Sequence, residues 1–129
     1  MSDEPEWLTM EDILRAHRRA LQIFGGALGI RDDSALESAV NRPLSKWKYE
    51  NAALAELAAA YAFGIVRNHP FLDGNKRAGF LAMIGFLRLN RVTFAPDPLE
   101  AAAVILGVAA GEIDETGLAR WISDNWPKT

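Results

Sequence analysis

The sequence predicts an all-α protein, and three features of its 129 residues carry that prediction. Alanine, leucine and isoleucine supply much of an apolar fraction of 50%, and they favour helix over strand. Residues 52–68 and 75–90 are apolar nearly all round, which is typical of helices buried in the centre of a domain. Start and stop signals recur along the chain, so we expect about six helices in one domain over residues 1–129.

Capping residues define the first two predicted helices. Thr9 and Asp12 have the spacing of a capping box, and the glycine pair at 25–26 stops the helix that they begin. A second, short helix should begin near Asp33. It should end before Pro43, because the residue preceding a proline disfavours the helical conformation.

The remaining connections are predicted from turn residues and from the loss of helical period. Residues 43–51 show only a weak alternation, which predicts a short flap or hairpin before the buried central helix pair. A fifth helix begins at Asp97 with Pro98 in its first position and ends at Gly111. A last helix covers about 114–126 and closes the domain.

Composition excludes several classes of function. The chain has no cysteine, which excludes disulfides, thiolate catalysis and sulfur-based zinc sites. The N-terminal segment MSDEPEW is acidic, whereas a secretory signal begins with basic residues. No apolar run reaches the roughly 20 residues that span a bilayer. We therefore expect a cytoplasmic protein without a membrane partner. The net charge of −3 disfavours direct nucleic-acid binding, which would have to use Arg15, Arg18, Arg19, Lys46, Lys48 and Arg88.

Residues 67–77 (RNHPFLDGNKR) differ from the rest of the chain. Seven of these eleven residues are polar, charged or histidine, yet they lie between the two most apolar helices. Gly74 and Asn75 stand at a helix start, where free N–H groups and the helix dipole favour an anion. Lys76 and Arg77 add positive charge where the dipole disfavours it. A sequence that breaks a local stability rule at a buried helix start is a candidate for function. Since the helix start and both cations favour an anion, the expected ligand is phosphate.

Two further side chains of this segment match the chemistry of phosphoryl transfer. Asp73 is the type of carboxylate that holds Mg²⁺ beside phosphates. His69 is the side chain best suited to take a proton from an attacking hydroxyl near neutral pH. Each residue alone has an ordinary structural explanation as a turn or surface residue, so the prediction depends on their combination within nine residues.

The segment HPFLDGNKR, residues 69–77, resembles the signature of the Fic/Doc family, HPFx(D/E)GNGR, at eight of nine positions. The exception is Lys76, which replaces a glycine and is typical of the Doc-type toxins of that family. Similarity to those toxins extends to the glycine pair at 25–26, Arg67, the FLRLN sequence and GVAAGEI at 107–113.

This resemblance implies a Fic fold and a role for each matched residue. His69 would be the general base and Asp73 the Mg²⁺ ligand, while Phe71 would anchor the loop in the core. The residues that would bind the nucleotide phosphates are Arg67, Gly74, Asn75, Lys76 and Arg77. Residues 43–51 would match the flap that positions the target peptide, through Lys46, Trp47, Lys48 and Tyr49.

The resemblance also implies a reaction and partners. With Lys76 in the signature, we favour transfer of the ATP γ-phosphate to a protein hydroxyl over transfer of AMP, and an inactive binding module is the third alternative. Doc-type toxins phosphorylate a threonine of translation elongation factor Tu and are inhibited by a prevents-host-death antitoxin. An inhibitory (S/T)xxxE(G/N) helix is not recognisable, since Ser45 to Glu50–Asn51 has one residue too many. A separate antitoxin is therefore expected.

Overall fold

The computed structural model describes residues 3–128 as a bundle of six helices. Within that range, β-pairing is limited to one isolated antiparallel bridge between Ile30 and Phe71. The prediction of an all-α fold with six helices is confirmed. None of the helices over residues 3–128 has the length and apolar content that crossing a membrane requires. The helices are α1 (Met10–Phe24), α2 (Asp33–Glu50), α3 (Leu54–Asn68), α4 (Asn75–Leu89), α5 (Pro98–Ala109) and α6 (Glu115–Asp124).

Helix α3 forms the centre of the bundle and packs against α2, α4, α5 and α6. Ten of its fifteen residues are buried, and many of them are alanines, which allow close helix approach. The α3–α4 contact is especially tight, since a Cβ atom at Gly79 would lie only 2.6 Å from Val66 Cγ2. The predicted central pair is confirmed as α3 and α4.

The helix starts that were predicted from capping residues are confirmed. Thr9 Oγ1 accepts a hydrogen bond from Asp12 N at 3.1 Å, and Asp12 Oδ2 accepts one from Thr9 N at 2.8 Å, which completes the capping box of α1. Asp97 caps α5 with Pro98 in its first turn. Asp114 caps α6 in the same way.

The prediction that the second helix ends before Pro43 is wrong. Helix α2 is eighteen residues long and contains Pro43, which is buried. A proline inside a helix costs about 3 kcal/mol because it removes a hydrogen bond and crowds the preceding turn. Contacts beyond the proline offset that cost. Trp47 packs edge-on against Trp7 with ring centroids 6.4 Å apart, and Lys46 forms an ion pair with Glu115 at 3.2 Å.

The prediction of a flap at residues 43–51 is also wrong, because Lys46, Trp47, Lys48 and Tyr49 all lie in the last turns of α2. The short connection 51–53 places this end of α2 beside the start of α3. The loop with the family signature follows the other end of α3. A 15-residue helix is about 22 Å long, so these four residues are remote from that loop.

Candidate active site

The loop of residues 69–74 joins the end of α3 to the start of α4 through two left-handed residues. His69 is the C-cap of α3 with φ +49°, and Gly74 is the N-cap of α4 with φ +76°. Glycine adopts this conformation freely. For histidine it is uncommon and strained, so neighbouring groups must hold His69 in place.

Asn75 is one of those groups, and its side chain binds the backbone of the loop. It is only 7% exposed, its Oδ1 accepts from Phe71 N at 3.0 Å, and its Nδ2 donates to Phe71 O at 3.0 Å. These two partners determine the amide orientation, because a backbone N–H only donates and a carbonyl only accepts. The second Nδ2 hydrogen faces His69 Nδ1 at 3.4 Å. The imidazole Nε2 is therefore the ring nitrogen left for a substrate.

Arg31 holds the backbone of His69 from the other side. Its Nε donates to His69 O at 2.6 Å and its Nη2 donates to Asn68 O at 2.8 Å. The last carbonyl groups of a helix have no partner within the helix, and a cation there is favoured by the dipole. Arg31 thus stabilises the end of α3 at the residue that carries the candidate base. The sequence contained no recognisable signal for this role.

Asp73 is exposed and holds its carboxylate against backbone N–H groups. Its Oδ1 accepts from Gly74 N at 2.9 Å, and its Oδ2 accepts from Ala27 N at 3.3 Å. A Cβ atom at Gly26, where φ is +124°, would lie 2.8 Å from that Oδ2, so only glycine fits beside the carboxylate. Each oxygen accepts a single hydrogen bond and keeps a free lone pair for another ligand.

The charges of the loop suit a magnesium ion held jointly with phosphates. Over residues 3–128, no group of three or more acidic or histidine side chains forms an all-protein metal site. A single carboxylate such as Asp73 fits Mg²⁺ when phosphate oxygens and water supply the remaining ligands. The donor set is therefore compatible with Mg²⁺ bound to a nucleotide.

The first turn of α4 is the electropositive part of the site. It has no acidic residue and no capping side chain. In the described part of the chain, the backbone N–H groups of Asn75, Lys76 and Arg77 have no protein acceptor. Lys76 is exposed, and the Arg77 guanidinium lies 4.2 Å from the Phe24 ring centroid. Neither cation has a carboxylate partner within 4 Å among residues 3–128.

An extended segment, residues 25–32, lies along the loop. Residues 43–51, which the resemblance matches to the target flap, do not lie there. The glycine pair at 25–26, which predicts only a helix stop and resembles Doc-type toxins, gives no indication of this contact. The backbone hydrogen bonds between segment and loop run from Arg31 N and Asp32 N to Pro70 O (2.7 and 3.1 Å) and from Leu72 N to Gly29 O (3.0 Å).

Phe71 and His17 form the floor of the loop. Phe71 is 1% exposed and His17 is 2% exposed. Their rings are stacked with centroids 3.7 Å apart, and His17 Nε2 lies 2.8 Å from Asp73 O. The place of Phe71 agrees with the anchor role that the resemblance implies. The contact with His17 was not predicted, although His17 is one of only two histidines in the chain.

Arg67 contacts the end of α5. Its Nη1 donates to Ala109 O at 3.2 Å and to Val108 O at 3.4 Å, which satisfies carbonyl groups at the end of α5. A Cβ atom at Gly111 would lie 3.1 Å from the same nitrogen, so the GVAAGEI sequence leaves room for this arginine. Phosphate binding by Arg67 stays a prediction, and its contacts describe a structural link between α3 and α5.

Comparison with known proteins assigns the chain to a family. The Fic/DOC family model matches residues 7–87, which include α1, the extended segment, α3, the loop and most of α4. The chain is also 40% identical to the toxin Doc of Mycolicibacterium smegmatis over 94 residues, which are 71% of this chain and 70% of that protein. Since the match spans the helices and the loop that bring His69, Asp73 and Asn75 together, the chain belongs to the Fic/DOC family.

Proposed function

We propose that this protein is a Doc-type toxin that transfers the γ-phosphate of ATP to a hydroxyl group of a target protein. The observation that carries the proposal is the start of α4. Among residues 3–128, its first N–H groups have no protein acceptor and its two cations have no carboxylate partner within 4 Å. Helix starts of this kind bind phosphate through backbone N–H groups and the dipole. The membership of the Fic/DOC family supports a nucleotide as the phosphate donor.

Phosphate binding would use the first turn of α4. The N–H groups of Asn75 to Arg77 point toward the helix start, and Lys76 and Arg77 supply full positive charges beside them. To bind phosphate, the Arg77 guanidinium would have to give up its contact with the Phe24 ring. That costs little, because a cation–π contact at an exposed site is worth about 0.5–1 kcal/mol. These groups would neutralise the charge that accumulates on the transferred phosphoryl group.

Asp73 would be the protein ligand of the Mg²⁺ ion. When bound, the ion supplies charge neutralisation and orientation of the phosphate oxygens. The hydrogen bonds from Gly74 N and Ala27 N hold the carboxylate in one orientation, which lowers the entropy lost on binding.

His69 would act as the general base. Its Nε2 takes the proton of the target hydroxyl while the hydroxyl oxygen forms a bond to the γ-phosphorus, and the bond to the β–γ bridging oxygen breaks to release ADP. To accept at Nε2, the neutral ring carries its hydrogen on Nδ1. In the structure Nδ1 faces the Asn75 Nδ2–H group at 3.4 Å, so this tautomer requires that long contact to open when the substrate binds.

Lys76 favours the γ-phosphate as the group transferred. In the family signature this position is a glycine, and the lysine adds both bulk and a charge to the first turn that receives the phosphates. We infer that this excludes the nucleotide pose in which the α-phosphate is attacked. Transfer of AMP is the second candidate, because the rest of the signature is unchanged.

The proposed target is a threonine of elongation factor Tu, and the proposed inhibitor is a prevents-host-death antitoxin, both in the cytoplasm. The name of the relative from M. smegmatis, toxin Doc, supports this setting. Exposed apolar side chains next to the loop support a protein partner, because apolar clusters of this kind mark interaction surfaces. They are Ile23, Phe24, Leu28, Ile30 and Leu72, with 42–71% of their surface exposed.

A labelling experiment tests the proposed reaction. The protein is incubated with Mg²⁺, purified elongation factor Tu or host lysate, and ATP labelled at either the γ- or the α-phosphate. We expect label on a protein only from the γ position. His69→Ala should reduce the rate about 10²- to 10⁴-fold, whereas the adjacent exposed change Asn68→Ala should leave it within about 2-fold.

The Lys76→Gly variant separates the two candidate reactions. If the lysine excludes the second pose, this variant should lose γ-label and gain α-label. Label from the α position in the unaltered protein would establish AMP transfer and overturn the role of Lys76. Full labelling by His69→Ala would exclude His69 as the base, and label from neither position would favour an inactive binding module.

A further inference from the structure

His17 lies directly under the loop, and the proposed transfer does not use it. It belongs to the buried face of α1, between Ile13 and Ala20, and only 2% of its surface is exposed. A polar ring in such a place is normally retained through a hydrogen bond, because an unpaired polar atom would be costly there. The partner is the backbone carbonyl of Asp73, at 2.8 Å from Nε2.

The identity of this partner determines which ring atom carries the hydrogen. A carbonyl oxygen has no hydrogen to give, so His17 Nε2 must carry one and donate it. The ring also faces Gly74, since a Cβ atom there would lie 3.7 Å from His17 Nε2 and Cδ2. His17 therefore contacts the peptide that ends the loop and begins α4.

A second contact ties the ring to the other part of the loop. The His17 and Phe71 rings are 4° from parallel with centroids 3.7 Å apart. The backbone of Phe71 is in turn clamped by the Asn75 amide. One side chain of α1 thus holds both the buried anchor of the loop and the residue that carries the candidate Mg²⁺ ligand.

We propose that His17 is a positioning residue, which holds the Asp73–Gly74 peptide by its Nε2–H and supports Phe71 by stacking. The inference rests on the proposed function, because the rate of transfer depends on the positions of Asp73 and of the first turn of α4. Without the ring hydrogen, the Asp73 carbonyl would face a buried surface with no donor. A shift of the loop by about 1 Å is enough to reduce a rate on the order of 100-fold.

Three variants separate the hydrogen bond from simple packing. His17→Phe keeps an aromatic ring against Phe71 but has no donor, whereas His17→Gln keeps an N–H donor near the position of Nε2. Arg19→Ala is the matched control, since Arg19 is exposed on the same helix. We expect His17→Phe to lower kcat about 10- to 100-fold with KM for ATP changed less than about 3-fold, and His17→Gln to restore most of kcat.

Rates are compared at equal folded fraction, as measured by circular dichroism. The proposal is overturned if kcat of His17→Phe equals that of Arg19→Ala. It is also overturned if His17→Gln is as slow as His17→Phe, because a donor would then make no difference.

Two measurements test the contact without any transfer activity. In His69→Ala, His17 is the only remaining histidine, so its ring nitrogens are assigned directly by ¹H–¹⁵N NMR. We expect a ring hydrogen on Nε2 that is protected from exchange with water. A ring without a hydrogen on Nε2, or an Nε2 hydrogen that exchanges freely, would overturn the proposal.

Amide hydrogen exchange reports whether the loop itself depends on His17. Gly74 N and Ala27 N donate to the Asp73 carboxylate, so both amides should exchange faster in His17→Phe than in Arg19→Ala. Equal exchange would overturn the proposal. If the ring and exchange results are as expected while no variant transfers label, the proposed reaction fails and the control of loop position by His17 remains established.

Discussion

Five of the six helix starts are built for stability, and the start of α4 is not. The others each have an acidic residue in the first turn. Four have a capping side chain, namely Thr9, Asp32, Asp97 and Asp114, and in the fifth, Glu56 accepts from Ala53 N at 2.9 Å. At α4, a left-handed glycine precedes a turn with two cations and no acid.

This difference identifies the one helix start among residues 3–128 that lacks both kinds of local stabilisation. Capping and first-turn acids each stabilise a helix by about 0.3–2 kcal/mol. At α4 the same N–H groups and the same dipole remain available, so an anion from solution can take the place that a carboxylate occupies elsewhere. Packing of α4 on α3 supplies the stability that its first turn lacks.

Reversing a charge in the first turn of α4 should remove the difference between α4 and the other helix starts. Lys76→Glu places an acid where the other helices have one, so transfer should fall about 100-fold or more while unfolding stability rises by about 0.3–1 kcal/mol. Arg88→Glu in the last turn of the same helix is the matched control. It should leave transfer unchanged and lower stability slightly. Urea unfolding measures the stability of both variants, and the labelling assay measures their transfer rates. An equal loss of transfer in Lys76→Glu and Arg88→Glu would contradict the proposed phosphate site at the start of α4.

The helix becomes a packing element one turn after the site. Gly79→Ala would place Cβ 2.6 Å from Val66 Cγ2 and 3.2 Å from Ala62 O, which should destabilise the protein by about 1–3 kcal/mol. At Gly85 no atom lies within 4 Å of an added Cβ, so Gly85→Ala should instead stabilise by up to about 1 kcal/mol. Urea unfolding distinguishes the two, and similar effects would contradict the close α3–α4 approach.

The capped start of α1 is tied further by Tyr61, which makes it sensitive to high pH. Burial raises the pKa of Tyr61 from 10.0 to about 12, and its hydroxyl accepts from Leu8 N at 3.1 Å. The unfolded chain releases this proton first. The protonated Tyr61 therefore stabilises the folded state fully below pH 10. This contribution to the unfolding free energy, on the order of 2 kcal/mol, is lost as the pH rises from 10 to 12.

Comparing two single-tyrosine variants isolates this effect. Tyr61→Phe removes the buried hydroxyl, whereas Tyr49→Phe changes a side chain that is 76% exposed. Between pH 10 and 12, the unfolding free energy should decline less in Tyr61→Phe than in Tyr49→Phe. Parallel declines would show that Tyr61 does not titrate differently in the folded state.

Removing a cap should have the smallest effect. Asp97→Ala or Asp114→Ala deprives α5 or α6 of its capping side chain and should cost about 1 kcal/mol of unfolding stability without changing transfer. Asp124→Ala, in the last turn of α6, should have no such cost, because an acid near a helix C-terminus is not stabilised by the dipole. A loss of transfer in the capping variants would mean that the site extends beyond α4.

Local signals sufficed for some elements and failed for others. The capping box at Thr9 and the proline start of α5 were predictable, because both depend on side chains that bond within one turn. The break expected at Pro43 was wrong, since the contacts that carry the helix past it come from residues distant in sequence, such as Trp7 and Glu115. The prediction of a flap at 43–51 was wrong for the same reason, because residues 43–50 continue α2.

Residues of the candidate site likewise fall into those that the sequence identifies and those that it does not. The residues within the signature could be identified because they are contiguous at a helix start. Arg31 and His17 could not, because they act on the loop from 37 to 56 residues away in sequence. A single arginine or histidine on a helix or in a loop has no local feature that distinguishes such a role.

By itself, the sequence determined the helical class, most of the helix starts, the buried pair α3 and α4, and the family signature between His69 and Arg77. Those properties depend on apolar periodicity and on bonds within one or two turns. Only the tertiary structure decided that Pro43 stays inside a helix, that residues 25–32 lie along the loop, and that His17 supports Asp73. Each of these depends on contacts between segments far apart in sequence, whose free energy exceeds local propensity.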